Sequence, residues 1–273
     1  MNKKTYRRAL TIAGSDPSGG AGLQADLKTF SALGCYGTSV VVAVVDENTV
    51  GVTGVHPIPV DFVTGQIRSV LDDIGTDAIK IGMLHSSELI RAVRDTLAQY
   101  DIKNVVLDPV MVATSGDPLL EADAVATLRD ELIPRVRVIT PNIPEAELLL
   151  GHSLTGQTQL PAAARELSER CGGVSVLLKA GHLHDSELID VFYNAETGKT
   201  TELKSRRLDT VNTHGTGCTL SSAFAASLAK GMSLDDAARA AKDYIAAAIE
   251  AGAGYDIGHG HGPVHHFHAL WKE

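Results

Sequence analysis

Short apolar runs rich in β-branched residues alternate along the chain with longer stretches in which apolar residues recur every three or four positions. The first pattern is typical of a buried strand and the second of an amphipathic helix. The predicted strands cover residues 9–13, 39–45, 78–81, 105–108, 136–140 and 174–179. The predicted helices lie around residues 22–33, 63–74, 90–97, 125–132, 144–150, 217–230 and 234–251. This alternation predicts a sheet of mainly parallel strands joined by helical crossovers.

Two further β-rich runs, residues 188–193 and 200–204, flank the turn-like segment 194–198 and predict a hairpin at a sheet edge. Because the other predicted strands are apolar almost throughout, helices should cover both faces of the sheet, as in a three-layer α/β/α sandwich. Ligands are then expected at the carboxyl ends of the strands. We see no repeat or linker and expect one domain over residues 1–273, with regular structure ending in the Gly- and His-rich segment 258–268.

Composition narrows the class of protein. The 273 residues are 44% hydrophobic, and 24 Lys and Arg against 33 Asp and Glu give a formal net charge of −9 without a long basic stretch. This balance argues against nucleic acid as a partner. No apolar run approaches the ~18 residues of a membrane span, so we expect a cytoplasmic protein without a membrane segment. The three cysteines are far apart and odd in number, which argues against a disulfide framework or a zinc site.

The segment NTHGTGCT, residues 212–219, runs directly into a predicted helix. Its glycines allow the backbone to approach a ligand closely, and the free N–H groups at a helix start attract an anion such as a phosphoryl group. The same position is expected to lower the pKa of the Cys218 thiol. Seen alone, the string is equally typical of a glycine-rich helix cap beside a buried cysteine.

A second glycine-rich turn, AGSDPSGGAG at residues 13–22, follows the first predicted strand. It has neither the GK[ST] ending of a Walker A loop nor the GxGxxG spacing of a dinucleotide fold, so neither nucleotide-binding mode is supported. Asp26 follows one helical turn later, outside the apolar stripe of its helix. It is a candidate to face a pocket above the sheet, with a solvated helix carboxylate as the alternative.

Polar residues at the ends of three further predicted strands are candidates to bind the phosphates and magnesium ion of a nucleotide. Asp108 ends one strand, Asn142 and Glu145 follow the next at a helix start, and Lys179 ends a third. Each has a structural alternative: a helix cap for Asn142, an interaction of Glu145 with the helix dipole, and a solvated loop position for Lys179.

Seven segments of the chain occur together in one family: GSDPSGGAGLQADLKTFSALG, KIGML, DPVM, TPNIPEAELL, KAGH, NTHGTGCTLSSA and GHGHGPVHHFH. Through them the chain resembles the hydroxymethylpyrimidine/phosphomethylpyrimidine kinases over nearly its whole length. The resemblance implies a ribokinase-like three-layer sandwich and a homodimer. It also implies two successive phosphorylations of 4-amino-5-hydroxymethyl-2-methylpyrimidine by ATP with Mg²⁺, for thiamin biosynthesis.

The resemblance implies roles for individual residues as well. The pyrimidine pocket would consist of Gly14, Asp26, Val45, Glu47, Met83 and Val110. The anion hole and the candidate base would be Gly215, Thr216, Gly217 and Cys218. The ATP phosphates would contact Lys179 and Asn142, and the metal would be held by Asp108 and Glu145.

Two positions depart from the family pattern. The family has Gln where this chain has Glu47, and KGGH where it has KAGH at residues 179–182. Glu47 is still able to accept a hydrogen bond from the 4-amino group, but it lacks the amide donor that would face a ring nitrogen unless that nitrogen is protonated. The substitution bears on pyrimidine preference and leaves the reaction class unchanged.

Two rival functions stay open at this point. Vitamin B6 kinases share the fold, and Glu47 favours them as an alternative because pyridoxal has no exocyclic amine. A catalytically silent binding protein on the same scaffold is the other rival, although Asp108, Glu145 and Cys218 are all present. For the histidine-rich end of the chain we expect at most adventitious nickel or zinc binding, since a glycine-rich run has no fixed ligand geometry.

Overall fold

A single eight-stranded sheet forms the centre of the computed structural model, which describes residues 4–111, 120, 123–181, 183 and 186–271. In chain order the strands are β1 Arg8–Ala13, β2 Tyr36–Val41, β3 Ala43–Glu47, β4 Val52–Pro57, β5 Ala78–Ile81, β6 Val105–Leu107, β7 Val138–Ile139, β8 Ser175–Leu178, β9 Glu187–Asn194 and β10 Lys199–Arg206. The central sheet has the order β10-β9-β8-β7-β6-β5-β1-β2. Its strands are parallel from β2 to β8, and the predicted hairpin β9–β10 is antiparallel at the edge.

Helices pack on both faces of the sheet, as the apolar strands predict. They are α1 Gly22–Ala32, α2 Val60–Asp73, α3 Ser87–Leu97, α4 Ala124–Thr127, α5 Ile143–Leu150, α6 Leu160–Arg170, α7 Thr216–Ala229 and α8 Leu234–Gly252. Alternate residues of a strand enter opposite cores: Leu10 and Ile12 pack with α2 to α6, whereas Ala9 packs with α1, α7 and α8. The three-layer α/β/α sandwich is therefore confirmed.

The predicted strand 39–45 is wrong as a single element. It is divided at Val42, where the chain leaves the central sheet and β3 pairs with β4 in a separate two-stranded sheet. The backbone N–H of Val42 donates to Ala13, and its carbonyl accepts from Ile58, so the crossing point itself is fixed by hydrogen bonds. Strand β4 was missed because its polar and half-exposed residues give no apolar pattern.

Two helical stretches also differ from the prediction. Helix α6 was missed, although Leu160, Ala163, Ala164 and Leu167 are buried on one face, because alanine gives a weak apolar signal. The predicted helix over 125–132 is only one α-helical turn, followed by a π-helical segment over Leu128–Leu132. The helical pattern then tightens to a 3-10 turn at Pro134, whose nitrogen has no hydrogen to donate.

The carboxyl ends of β1, β5, β6, β7 and β8 lie side by side at one edge of the sandwich. The residues that follow these strands are Gly14, Gly82, Asp108, Thr140 and Lys179. This edge therefore brings together three candidate site residues from the sequence analysis, Gly14, Asp108 and Lys179. Among the helices formed by the described residues, none is long and apolar enough to span a membrane.

Candidate active site

Helix α7 begins at the centre of this edge with the GTGC segment. Its N-cap residue, Gly215, has φ of +75°, a backbone conformation that favours glycine. A β-carbon at Gly215 would collide with the carbonyl oxygen of Gly20. Thr216 is the first helical residue, and Gly217 follows it. A β-carbon on Gly217 would lie 3.3 Å from both Asp108 Oδ2 and Lys179 Nζ. The start of α7 thus lies beside a lysine and a buried carboxylate, and the N-terminus of a helix favours an anion.

The apolar side of the site is formed by residues from three separate parts of the chain. A β-carbon on Gly14 would lie 2.9 Å from Met83 Cε and 3.6 Å from Val45 Cγ2. Val110 is partly buried and packs against the same core cluster as Val45 and Met83. The structure therefore brings Gly14, Val45 and Met83 into one apolar wall, and the absence of a side chain at Gly14 lets Met83 and Val45 pack against its backbone.

Asp26 is fully buried, so the solvated-carboxylate alternative is wrong. Both of its oxygens lie 2.9 Å from Lys80 Nζ, and it also accepts hydrogen bonds from Thr11 Oγ1 and Ser222 Oγ, each at 2.6 Å. Burial lowers the pKa of Lys80, but the charges of Asp26 and Asp108 outweigh it and hold that pKa above its ordinary value. Asp26 and Lys80 therefore form an ion pair beneath the site.

Lys80 is a residue that the sequence prediction did not single out. It lies in the middle of β5, whose four residues are all buried. The signal was present as a lysine inside the apolar run AIKI, because a charge in such a strand requires a buried partner.

A second buried group surrounds Asp108. Its Oδ1 accepts from Thr140 Oγ1 at 2.8 Å and from Lys179 Nζ at 3.0 Å. Burial lowers the pKa of Lys179, but the carboxylates of Asp108 and Glu145 raise it above its usual value. Lys179 is thus a cation fixed at the strand ends, and the solvated loop position is wrong for it.

Asn142 and Glu145 form a capping box at the start of α5. Asn142 Oδ1 accepts from the Glu145 N–H at 2.9 Å, and a Glu145 carboxylate oxygen accepts from the Asn142 N–H at 2.8 Å. Burial raises the pKa of Glu145, Lys179 opposes this effect and Asp108 adds to it. The resulting pKa is about 7. The carboxylates of Asp108 and Glu145 are oxygen donors of the kind that suit Mg²⁺. The residues present therefore fit a magnesium ion.

The thiol of Cys218 differs from the prediction. Burial has the largest effect and raises the pKa of this thiol. The charges of Asp26 and Asp108 also raise it, whereas Lys80 and the N–H of Gly22 lower it, and the resulting pKa is about 11. The expected lowering of its pKa is therefore wrong, because loss of hydration and two nearby carboxylates outweigh the helix start. At neutral pH the thiol of the unliganded protein keeps its proton.

A third polar group, which the sequence prediction missed, joins the two glycine-rich turns. Asp16 Oδ2 accepts from Ser18 Oγ, from the N–H groups of Gly20 and Ala21, and from His214 Nε2 at 2.9 Å. Burial raises the pKa of Asp16. The hydrogen bonds outweigh this effect, with that from His214 the strongest, and hold the pKa well below its usual range. Asp16 therefore fixes the first turn against the GTGC loop.

Glu47 lies on the open side of this group. Its Oε1 is 3.9 Å from His214 Nε2. Burial lowers the pKa of His214, but Asp16 and then Glu47 raise it above the ordinary histidine value. By residue type Asp16, Glu47 and His214 could ligate a metal. Because Asp16 Oδ2 already accepts four hydrogen bonds, we interpret the group instead as a histidine whose protonated form is favoured by two neighbouring carboxylates. His182 of the KAGH segment lies outside the described residues.

The fold and this edge define a class of protein. A parallel sheet covered on both faces, with an anion-binding helix start beside buried carboxylates and a lysine, is the arrangement of a small-molecule kinase. An apolar wall lies next to the anion site, as a phosphoryl acceptor with a flat ring would require.

Comparisons with known proteins give the particular family. Residues 16–265 match the phosphomethylpyrimidine kinase family model. A hydroxymethylpyrimidine/phosphomethylpyrimidine kinase of Rhizobium meliloti is 50% identical over 265 residues, which cover 97% of this chain and 98% of that one. A thiamine biosynthesis bifunctional protein of Geobacter sulfurreducens is 46% identical over 94% of this chain and 51% of its own.

Among solved structures, a pyridoxal kinase of Bacillus subtilis in complex with ADP has a TM-score of 0.88 and 38% identity, covering 98% of this chain and 100% of that one. The chain belongs to the phosphomethylpyrimidine kinase family and has its ribokinase-like fold.

Proposed function

We propose that this protein phosphorylates 4-amino-5-hydroxymethyl-2-methylpyrimidine and then the resulting monophosphate, using ATP, to give the diphosphate for thiamin synthesis. The observation that carries the proposal is the position of Gly217. It lies beside Asp108 and Lys179 at the start of α7, and α7 packs against β1 and β5, the strands that lead into Gly14 and Met83. Family membership and 50% identity to a kinase of this name support the same substrate.

The first transfer joins the hydroxymethyl oxygen to the γ-phosphorus of ATP and breaks the bond between that phosphorus and the β-γ bridging oxygen. ADP leaves, and the hydroxyl proton passes to a base or to the transferred phosphoryl group. The N–H groups of residues 215–218 stabilise the charge that develops on the phosphoryl oxygens. In the second transfer a phosphate oxygen of the monophosphate is the nucleophile, so no hydroxyl proton has to be removed.

The polar residues at the strand ends divide the work on the nucleotide side. We assign Lys179 to a phosphate oxygen, since its ammonium group is buried and paired with a single carboxylate. Asp108 and Glu145 would hold Mg²⁺, which neutralises phosphate charge when it is bound. Asn142 would act mainly by capping α5 and so fixing Glu145. Cys218 stays the candidate base, although its raised pKa requires that the thiol be ionised before it can accept the hydroxyl proton.

On the acceptor side, Glu47 is proposed to receive a hydrogen bond from the pyrimidine amino group. Val45, Met83 and Val110 would contact the ring, with the backbone of Gly14 beside Met83 and Val45. Asp26 lies one layer deeper, in its ion pair with Lys80. We therefore propose that Asp26 supports the pocket floor through Lys80 and does not need to touch the substrate itself.

Pyridoxal phosphorylation is the second candidate function, favoured by Glu47 in place of Gln and by the fold similarity to a pyridoxal kinase. A panel of acceptors with ATP and Mg²⁺ separates the two. We expect the pyrimidine alcohol and its monophosphate to be turned over with the highest kcat/KM. A preference for pyridoxal, with no phosphorylation of the pyrimidine monophosphate, would reject the proposal.

We also propose that the protein works in the cytoplasm as a homodimer. Its three cysteines are free, which fits the reducing compartment that supplies ATP. Val44 on β3 and Val55 on β4 are exposed by 51% and 42%, and exposed apolar side chains of this kind suit a subunit contact. Sedimentation velocity at micromolar concentration would test the assembly, and a monomer would reject it.

A further inference from the structure

Residues 258–263, here termed the C-terminal strap, cross the open side of the candidate active site. They contain no helix or strand, as the sequence predicts, but they are held by hydrogen bonds at both ends. At one end the His261 N–H donates to the backbone oxygen of Thr49 at 2.8 Å. The N–H groups of His259 and Gly260 both donate to Thr49 Oγ1, each at 3.2 Å. Thr49 lies in the turn between β3 and β4, so this end of the strap holds that turn.

The other end of the strap holds the loop that leads into α7. The His214 N–H donates to the Gly262 carbonyl oxygen at 3.0 Å, and His214 forms an isolated parallel bridge with Pro263. Asn212 Nδ2 donates to the carbonyl oxygens of Gly252 and Tyr255, at 2.8 and 2.7 Å. The strap therefore joins the β3–β4 turn to the segment that ends in the anion site.

The path of the strap explains the alternating glycines of the sequence GHGHG. A β-carbon on Gly258 or Gly260 would collide with Thr49, and one on Gly262 would collide with Asn212 Oδ1. The intervening His259 and His261 are exposed. Glycine at every second position lets the backbone of the strap lie directly against both loops, while His259 and His261 stay exposed and His261 Nδ1 lies 3.2 Å from the Val211 carbonyl oxygen. The glycines thus have a packing role that does not require metal binding by the histidines.

The contacts form a closed circuit around the acceptor side of the site. Thr49 follows Glu47 by two residues, Glu47 faces His214 across 3.9 Å, and His214 binds the strap, which returns to Thr49. The circuit contains the residue proposed to read the acceptor. It does not contain Lys179, Asp108 or Glu145, which are proposed to bind the nucleotide.

We propose that Thr49 is a positioning residue for the phosphoryl acceptor, and that it acts through the C-terminal strap by holding Glu47 and Val45 over Gly14. The inference rests on the proposed assignment of these residues to the acceptor pocket. Loosening the strap should weaken acceptor binding more than nucleotide binding, because Glu47 belongs to the circuit, whereas Lys179, Asp108 and Glu145 lie outside it.

Gly260→Ala tests the strap, with Gly254→Ala as the matched control, since a β-carbon on Gly254 meets nothing within 4 Å. We expect Gly260→Ala to raise the KM for the acceptor about tenfold, the scale of one or two lost hydrogen bonds, with the KM for ATP within about twofold of wild type. Gly254→Ala should leave both constants unchanged. Equal rises in both constants, or no rise in Gly260→Ala, would overturn the inference.

Thr49→Val and Thr49→Ser give a second pair in case the larger change impairs folding. Valine removes the oxygen that accepts from His259 and Gly260, whereas serine keeps it. We expect the valine variant to raise the acceptor KM and the serine variant to restore it, with thermal stability similar in both. If serine and valine give the same KM, the hydroxyl has no positioning role.

The acceptor in these assays is the compound that the wild-type protein phosphorylates best, so a wrong substrate in the proposed function does not decide the test. Hydrogen exchange supplies a readout without any substrate. In Gly260→Ala we expect faster exchange in residues 43–57 and 212–216 than in Gly254→Ala, with α8 unchanged. Uniform acceleration over the whole chain would mean that the strap only stabilises the fold.

Discussion

The thiol of Cys218 carries its proton at neutral pH, because burial raises its pKa to about 11. A thiol of this kind is a strong base only in its small ionised fraction, and that fraction grows tenfold with each pH unit below the pKa. Under the proposed role of Cys218 as the base, the ionised fraction of this thiol would limit the alcohol step but not the monophosphate step.

We predict that Cys218→Ala slows phosphorylation of the alcohol by roughly 10² to 10⁴, the span of general-base loss, and slows the monophosphate step much less. The wild-type alcohol step should also accelerate between pH 7 and pH 9, and the variant should lose this dependence. The two steps are assayed separately by supplying the alcohol or its monophosphate. Parallel losses in both steps would mean that Cys218 only shapes the anion site.

Glu47→Gln tests a residue at which this chain departs from its family. We expect an active enzyme whose affinity for the acceptor changes by at most about 1 to 3 kcal/mol, the range of a hydrogen bond to a charged group. Removing the Glu47 charge should also lower the raised pKa of His214, because one of its two anionic neighbours is lost. Titration of the imidazole by NMR measures this shift.

The sign of the accompanying stability change follows from the same pKa. His214 has a raised pKa in the folded protein, so its ion pair stabilises fully below the unfolded pKa and is lost as pH rises through the folded value. In Glu47→Gln this loss should occur at lower pH than in wild type. An unchanged His214 titration, or loss of all turnover in a folded Glu47→Gln protein, would contradict our account of this residue.

At the scale of elements, Asp26 joins helix α1 to three neighbours. It binds Thr11 of β1, Lys80 of β5 and Ser222 of α7, all with buried atoms. Two buried charges are tolerated only as a pair, since an ammonium group buried without its carboxylate is strongly unfavourable. The pair therefore fixes the relative positions of the elements below the active site.

We predict that Asp26→Ala lowers the free energy of unfolding by roughly 3 to 5 kcal/mol, because it leaves Lys80 buried without its carboxylate. The double variant Asp26→Leu/Lys80→Met should be less destabilised, since it removes both charges and fills the space. Urea unfolding of the three proteins measures the difference. Asp26→Ala should also raise the KM for the acceptor more than that for ATP. A double variant less stable than Asp26→Ala would show that charge burial is not the cause.

Helix α5 supplies a test of the proposed magnesium carboxylates. The pKa of Glu145 is raised to about 7, so the folded protein holds a proton there that the unfolded chain loses near pH 4.5. Stability should therefore fall as pH rises between these values, and most of the penalty is present above pH 7.

Glu145→Gln keeps the capping box but removes this ionisation. We expect the variant to be more stable than wild type at pH 8, by about 3 kcal/mol for a pKa raised from 4.5 to about 7, and to be far less active with ATP and Mg²⁺. Thermal melts at pH 5 and pH 8 measure the stability difference, which should shrink at pH 5. A variant that is destabilised at pH 8, or fully active, would contradict the assignment.

At the scale of the whole molecule, the sequence predicts the layers well and the buried charge pairs poorly. The alternation of apolar runs is a local property, and it correctly places strands such as β1 and β5 and the hairpin β9–β10. The two-stranded sheet β3–β4 and helix α6 lack a strong local pattern and were missed. Tertiary contacts determine those elements more than local residue preference does.

The site shows the same division. Glycines and strand-end acids can be found from local strings, and the structure brings Gly14, Val45 and Met83 together as the resemblance implies. By contrast, the Asp26–Lys80 pair and the Asp16–His214 pair join residues 54 and 198 positions apart. No local pattern contains such pairs. The raised pKa of Cys218 was missed for the same reason, since it depends on burial and on carboxylates from distant parts of the chain.

Phosphorus NMR of the reaction products tests the central claim most directly. Wild-type protein is incubated with ATP, Mg²⁺ and 4-amino-5-hydroxymethyl-2-methylpyrimidine, and in a parallel tube with pyridoxal. The account predicts a monophosphate ester signal that is followed by the two signals of a diphosphate ester, with little product from pyridoxal. A reaction that stops at the monophosphate, or that proceeds only with pyridoxal, would contradict it.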